Sequence, residues 1–585
     1  MLETEAVDVG HTDPVPAAAP PGPPRWSRWR RPAGLTVVAV AVVAVAFALP
    51  LRTLFRFQGP PMEEGFMLTF PERVLRGDVP HRDFLHLYGP GSLWVLAAWY
   101  KVLGVSITAE RVFGAIQLGG IVFGVMALAR PWGRRVALAS GLIGVLLTTT
   151  AIGLTALAWD GAVALAVAAT WVGLRARRWL TDAPSIPAPA AERRAGRLLV
   201  ASGALAGVAL LFRPDVVVAV ALAMVAVLVG LGWSRWRRWL TGAVPVLALY
   251  LVHLAWAGPA DAIRGMFLQP VFDLRDGRSL PRPPSHTGYD GALQGVAQLR
   301  ETRWWGPRLS SPLQIFAWFF LLLAVTGFIA AVGAWSVRRR PRSWRARSLL
   351  AVGLLGLGLL PQAMQRPDTT HFAWVSCVPL AFLPAALAEL GLHQRWASVR
   401  ARAGTLAAAV ALAVPLLVIP HFTARTYVDL VNQGRPGQNV FGYPVHHGGR
   451  TFYLGAKDIA PVVQRMLDEI GPRTQAGQRL FVGTADLRKT PYSDAYLYYL
   501  LPELRPGTRF IEMDPGVANA PDSGLAHEVA TSDWLILSHI WDAWREPNAS
   551  RRFGPEGPNQ VVRRDFCPVG NYQPYFEVYR RCSKR

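Results

Sequence analysis

The chain is poor in cysteine, nearly devoid of lysine, and lacks any glycine-rich phosphate-binding fingerprint or fixed-period repeat. Each gap narrows the reading. Without a dinucleotide or P-loop glycine pattern at the end of an apolar strand, nucleotide binding has no support. Without internal repetition, solenoids and arrays are set aside. Only three cysteines occur in 585 residues. Cys377 lies inside an apolar run and reads as a small core filler, whereas Cys567 and Cys582 stand alone in the C-terminal region and could bridge if that region is exported. Lysine supplies four of the 61 basic residues, and the formal net charge is +23. The arginines fall in short clusters between apolar runs rather than on one face, which reports membrane topology and argues against a nucleic-acid partner.

What is abundant is apolar sequence. Hydrophobic residues make up 52% of the chain and mean hydropathy is +0.25. Runs such as TVVAVAVVAVAFALP and DVVVAVALAMVAVLVGLGW recur along most of its length, so the sequence describes a polytopic membrane protein. Residues 1–32, rich in Pro and Ala, read as a disordered cytoplasmic tail. Arg25, Arg28, Arg30 and Arg31 place that end inside, and no small-residue cleavage pattern follows.

About eleven spans are expected, near 33–50, 109–129, 136–153, 156–174, 198–212, 216–233, 240–257, 313–337, 346–363, 373–391 and 403–420. Their register gathers arginines into Arg130–Arg135, Arg175–Arg197, Ser234–Trp239, Arg338–Arg347 and His393–Arg402, as cytoplasmic loops require. The acids and histidines collect on the other side. Residues 421–585 are more polar and are expected to form an extracytoplasmic soluble α/β domain that folds alone, with Cys567 and Cys582 paired. Its helices Asp458–Ile470, Asp494–Leu501 and Gly524–Ala530 alternate with strands Leu480–Gly483, Thr508–Met513 and Trp534–Ser538, suggesting a parallel sheet. The fold class is thus an all-α polytopic membrane domain (33–420) followed by that α/β domain.

The first outer loop, 51–108, holds the densest polar cluster. It carries Glu63, Glu64, Asp78, Asp83, Arg82, His81 and His86 between two spans, together with two apolar stretches, Gly65 to Val74 and Ser92 to Leu103, that suit interfacial helices. Three further groups share its side: Asp160 in AWDG, Arg213-Pro214-Asp215, and the QRPDTTH segment with Arg366, Asp368 and His371. Singly, each reads as an interfacial charge, a helix cap or a local ion pair. Together they suit sugar transfer from a lipid phosphate. A carboxylate takes the acceptor hydroxyl's proton, and arginine or histidine stabilises the departing phosphate. Apolar grooves between helices would hold the lipid.

The stretch MEEGFMLTFPERVLRGDVPHRDFLHLYGPG resembles the first outer loop of the bacterial GT-C superfamily of polytopic glycosyltransferases. It has an acidic pair before Gly65, a helix ending at Gly77, the run Pro80-His81-Arg82-Asp83-Phe84 and the turn Tyr88-Gly89-Pro90-Gly91. QRPDTTH resembles an outer loop of the same enzymes. The resemblance implies a GT-C-like membrane domain, a polyprenyl-phosphate-linked sugar donor, and a general base in the first outer loop. Where that family often has Asp at the first acidic position this chain has Glu63, so Glu63, Glu64 and Asp83 all stay open as the base, with Asp160 as a helper. Arg82, His86, Tyr88, Arg213, Asp215, Arg366, Asp368 and His371 are the candidates for binding donor phosphate and substrate, with Arg366 and His371 on the phosphate and Asp368 orienting Arg366. One acid of the adjacent pair should face the cavity while the other pairs with Arg82 or Arg213, because neighbours on a helix point about 100° apart. A divalent cation is left open without support, since no ligand motif is present.

The expected partners are the lipid-linked donor, a glycan, lipid or protein acceptor of the cell envelope, and the bilayer; the expected place is the plasma (inner) membrane of a bacterium. A transporter or lipid flippase would instead place paired charges at mid-span and show a two-fold repeat. A non-catalytic envelope scaffold would leave the Glu63–Gly91 loop without a purpose. The sugar, the acceptor and the linkage carry no visible code.

Overall fold

The computed structural model describes residues 34–59, 62–149, 153–181, 188–296, 309–393, 397–438 and 440–583. The N-terminal tail 1–32 and its arginines lie outside the described residues. A helix occupies each of the eleven expected spans, yet fewer are built to cross a membrane unaided. Among the described residues six helices are long and apolar enough, or eight if each bent pair counts as one span. These features and the exposed apolar faces make the chain a multi-pass membrane protein. The shortfall has visible causes. Val217–Leu228 has only 12 residues, and Arg134–Thr148 only 15. The 373–391 region is two helices, Thr369–Ser376 and Pro379–Leu392, bent by 42° where Pro379 cannot continue the hydrogen-bond ladder. By contrast the run expected at 198–212 begins earlier, as Ala188–Phe212 with 25 residues.

One large core runs through the helical bundle, from Ile121 to Phe422. Many apolar side chains remain outside it, among them Val37, Leu251 and Trp256, on surfaces that a bilayer would cover.

The C-terminal region carries a hairpin, β1 (Tyr443–His447) with β2 (Arg450–Leu454). Beyond it lies a five-stranded sheet of β3 (Arg479–Thr484), β4 (Arg505–Pro506), β5 (Trp534–Ser538), β6 (Phe566–Tyr572) and β7 (Phe576–Arg581), in the order β4-β3-β5-β7-β6. Only β4-β3 and β3-β5 are parallel; β7 pairs antiparallel with both β5 and β6. The sheet is therefore mixed, and the two C-terminal strands were unread in the sequence. The helices Ile459–Ile470, Tyr496–Leu500 and Leu525–Ala530 fall close to the expected positions. The strand expected at Thr508–Met513 does not form. Its backbone is used otherwise: the Thr508 carbonyl accepts from Arg73 at 3.1 Å and the Arg509 carbonyl from the Leu85 N–H at 2.9 Å. Cys567 and Cys582 are bonded, as expected.

The two expected interfacial helices exist as Glu63–Leu75 and Gly91–Leu103, but the first is no surface element. Phe66, Met67 and Phe70 join Val445, Phe452, Tyr496 and Trp534 in a single core. A Cβ on Gly65 would come within 2.4 Å of the Tyr496 backbone nitrogen, so only glycine permits this approach. Arg73 donates to Thr508, and Glu72 holds Arg450 through two contacts of 2.8 Å. The C-terminal region thus shares its core with the first loop, contrary to the expectation that it folds alone. Within the helix, Pro71 has no N–H to give the Met67 carbonyl, and the Tyr100 hydroxyl takes that acceptor at 3.2 Å.

Candidate active site

Glu63 opens the helix Glu63–Leu75, where an acid in the first turn complements the helix dipole. It lines a cavity of about 740 Å³ at the seam between the helical bundle and the C-terminal region. The Tyr88–Gly91 turn, the Arg213-Pro214-Asp215 corner, the segment 266–282, the end of helix Trp344–Gln365 and C-terminal Tyr492 and Glu512 close its walls. Gly89 lets the turn seat against the end of helix Ala188–Phe212: its N–H bonds the Phe212 carbonyl at 3.1 Å, and a Cβ there would strike the Leu211 carbonyl. Burial raises the Glu63 carboxyl above its ordinary value, although Arg278 and Arg366 pull it down.

The adjacent acid behaves differently. Glu64 is not part of the cavity lining; it is buried in a bidentate ion pair with Arg111, at 2.6 and 2.8 Å, with both side chains at most 2% exposed. The division of labour between neighbours is as expected, but the partner is Arg111 rather than Arg82 or Arg213. Asp83 is not at the cavity either. It binds Arg82 at 2.8 Å and accepts the Val79 N–H at 2.7 Å, half-exposed on the loop. Arg82 is spent there and on the Trp256 carbonyl. Asp160 is not part of the cavity lining; it lines a small neighbouring pocket with Leu118 and Cys377.

The binding candidates divide in the same way. Tyr88, Arg213, Asp215, Arg366 and His371 line the cavity. Arg213 lies 3.9 Å over the Tyr88 ring and is held by Asp215 at 2.8 and 2.6 Å. His86 does not line it. It is fully buried against Phe70 and Tyr88, and neither ring nitrogen has a hydrogen-bond partner among the described residues. Asp368 is fully buried and orients two neighbours: its Oδ2 accepts from Arg366 at 2.8 Å, and its Oδ1 takes His371 Nδ1 at 2.8 Å while capping helix Thr369–Ser376. Asp368 therefore orients Arg366 as expected. However, Arg366 also donates to both oxygens of Glu546, at 2.8 and 2.5 Å, and to the Arg278 carbonyl. Its charge is used to fasten the C-terminal region to the bundle, which leaves little for a ligand phosphate.

Four functional candidates were missed. Arg275 and Arg282 line the cavity and have no ion pair among the described residues. Arg278 pairs with Asp514 and lies 3.6 Å from Glu512. Glu512 is 1% exposed, and burial pushes its carboxyl up to about 7. It precedes Met513, whose φ of 53° places a non-glycine residue in the left-handed region, a strain of about 1–2 kcal/mol. No sequence signal marks Glu512, while the arginines of 264–282 could have been found as an outer cationic run. Among the described residues no group of three or more His, Cys, Asp or Glu side chains is arranged to hold a metal ion.

On the bundle side the cavity is apolar, with Met266, Leu274, Leu357, Leu360 and Met364. Phe267 and Val271 belong both to this wall and to the outer surface, 45% and 47% exposed, so the chamber opens beside apolar surface. The fold and the site together define a multi-pass membrane protein with a chamber that is apolar on one side and lined by acids and free arginines on the other.

No family model matches the chain, and no curated protein matches it in sequence. Among solved structures, ArnT from Cupriavidus metallidurans bound to undecaprenyl phosphate is similar at 16% identity and a TM-score of 0.47, over 94% of this chain and 98% of that one. The oligosaccharyltransferase AglB from Archaeoglobus fulgidus, in complex with an inhibitory peptide and a dolichol-phosphate, is similar at 11% identity and a TM-score of 0.47, over 94% of this chain and 74% of that one.

Proposed function

We propose that the chain is a membrane glycosyltransferase of GT-C type, moving a sugar from a polyprenyl-phosphate donor to a hydroxyl acceptor at the outer face of a bacterial plasma membrane. The observation that carries the reading is Glu63 in a chamber that also holds unpaired arginines and a lipid-like wall. The motifs of the first outer loop point the same way.

The polyprenyl chain lies along Met266, Leu274, Leu360 and Met364, entering past Phe267 and Val271. Arg275, Arg282 and His371 receive the phosphate, in place of the Arg366 expected from sequence. The acceptor oxygen attacks the anomeric carbon and its proton passes to Glu63. The bond from that carbon to the phosphate oxygen breaks, and its electron pair leaves with the phosphate, whose growing charge the arginines stabilise. Tyr88 and Asp215 shape the sugar pocket, with Arg213 fixed between them. Glu64 and Asp83 hold structure, and Asp160 lies behind the wall.

The test is transfer of labelled sugar from a polyprenyl-phosphate donor in proteoliposomes. Glu63→Gln keeps the shape and removes the basic oxygen, so transfer should fall by about 10² to 10⁴, the usual worth of a positioned base, while undecaprenyl phosphate still binds. Wild-type transfer by Glu63→Gln would refute the assignment.

A further inference from the structure

Glu512 is an acid of the cavity that nothing above employs. It comes from the C-terminal region, which contributes Tyr492 and Glu512 to the cavity lining. Its Oε1 is buried and receives no hydrogen bond from any described residue, and its Oε2 reaches only Arg278, at 3.6 Å. A buried carboxylate oxygen without a donor is costly, and in a cavity wall a ligand can supply that donor. Glu512 is also close enough to Glu63 for each charge to oppose the other.

The chemistry of the missing partner follows from this company. Ionised carboxylates only accept hydrogen bonds. Asp215 is already taken by Arg213, so Glu63 and, once it is ionised above about pH 7, Glu512 are the carboxylates that suit a ligand that donates, and an anion beside them is disfavoured. The phosphate belongs with Arg275 and Arg282, which have no ion pair among the described residues. Attack on an anomeric carbon also comes from the side opposite the leaving group, so the acceptor lies beside the base. Glu512 neighbours the base, so the donor it lacks is a hydroxyl of the acceptor.

We infer that Glu512 is an acceptor-binding residue, which selects a neutral, hydroxyl-rich acceptor such as a sugar ring and excludes anionic ones. This rests on the glycosyltransferase reading and adds the acceptor class to it. One carboxylate holds the acceptor by a second hydroxyl while Glu63 takes the proton of the first. The C-terminal region is then part of the site, since the bundle alone lacks the acceptor wall.

Initial rates with octyl glycosides as acceptors test it. Glu512→Gln should raise the acceptor KM about tenfold, the difference between a charged and a neutral hydrogen-bond acceptor, with undecaprenyl phosphate binding as in wild type. Glu512→Asp, which keeps the charge, should recover part of the loss. Glu63→Gln should lower kcat instead. A second measurement uses the wild type alone, so it stands even if the variants fold poorly. Among monodeoxy analogues of the glycoside, one lacking the hydroxyl at Glu512 should show the same tenfold penalty. An unchanged acceptor KM in a Glu512→Gln protein that melts no earlier than wild type overturns the inference. So does equal use of every monodeoxy analogue, or preference for anionic glycosides. Failure of the wild type to transfer from any polyprenyl-phosphate sugar overturns the underlying reading, whereas transfer with unaltered KM in Glu512→Gln overturns only the role of Glu512.

Discussion

Replacing Glu64 by Gln should unfold the protein more readily without touching its chemistry. Glu64 and Arg111 form a bidentate pair at 2.6 and 2.8 Å, and neither side chain is more than 2% exposed. Arg111 also donates to the Leu54 carbonyl at 3.0 Å, so the pair ties the first outer loop to the end of the first span. Removing one partner of a buried pair leaves an uncompensated charge and costs about 3–5 kcal/mol. The amide of Gln can still accept one hydrogen bond, which places Glu64→Gln near 3 kcal/mol. Replacing both by apolar residues of similar size, Glu64→Leu with Arg111→Met, should recover much of that loss, because a desolvated pair returns little net stability. The assay is thermal unfolding in detergent by tryptophan fluorescence, with turnover measured per folded molecule. Glu64→Gln should melt early and turn over normally once folded. A Glu64→Gln protein that melts like wild type but cannot transfer sugar would return Glu64 to the chemistry and displace Glu63.

Three further outcomes can be measured. Gly65→Ala puts a Cβ 2.4 Å from the Tyr496 nitrogen, so it should detach the C-terminal region and abolish transfer; limited proteolysis releasing that region would show it, and a stable, active variant would refute the shared core. Arg366→Ala should lower the folded yield by leaving buried Glu546 without its charge partner and Asp368 with His371 alone, at a cost of several kcal/mol, while turnover per folded molecule falls far less than in an Arg275→Ala, Arg282→Ala double variant; the reverse order would restore Arg366 as the phosphate ligand. The pH dependence of stability carries the mark of Glu512. Its folded carboxyl titrates at about 7, against an ordinary value of 4.5. The stability this preference for the protonated form confers is fully present below 4.5 and lost as pH rises through about 7, roughly 3 kcal/mol in all. Glu512→Gln should therefore gain melting temperature over wild type at pH 8 and little at pH 4.5; equal differences at both would contradict it.

Much of this protein was legible in its residues. Apolar runs of membrane length and arginines clustered between them set the helical bundle, because an unpaired backbone in hydrocarbon is too costly for anything but helix. The short helices and the break at Pro379 were written there as well, in Gly and Pro that the count of spans passed over. The first outer loop stood out by its density of charge, and Tyr88, Arg213, Asp215, Arg366 and His371 do gather with Glu63 around one chamber. The C-terminal strands β3 and β5 followed from apolar runs between turn residues, since that pattern is local.

Which acid faces the chamber was not local. Glu63 and Glu64 are chemically alike, and only the seating of their helix against Arg111 on the following span separated them. Arg366 looked free until the fold brought Glu546, 180 residues further on, to both of its terminal nitrogens. Glu512 had no motif at all; its significance comes from burial opposite Glu63 with an oxygen left without a partner. The sequence by itself determined the membrane bundle, the loop that would hold the charges, and the cysteines that would pair. Only tertiary structure decided which charges cancel one another and which remain for a ligand, because ion pairing depends on distances between segments far apart in the chain.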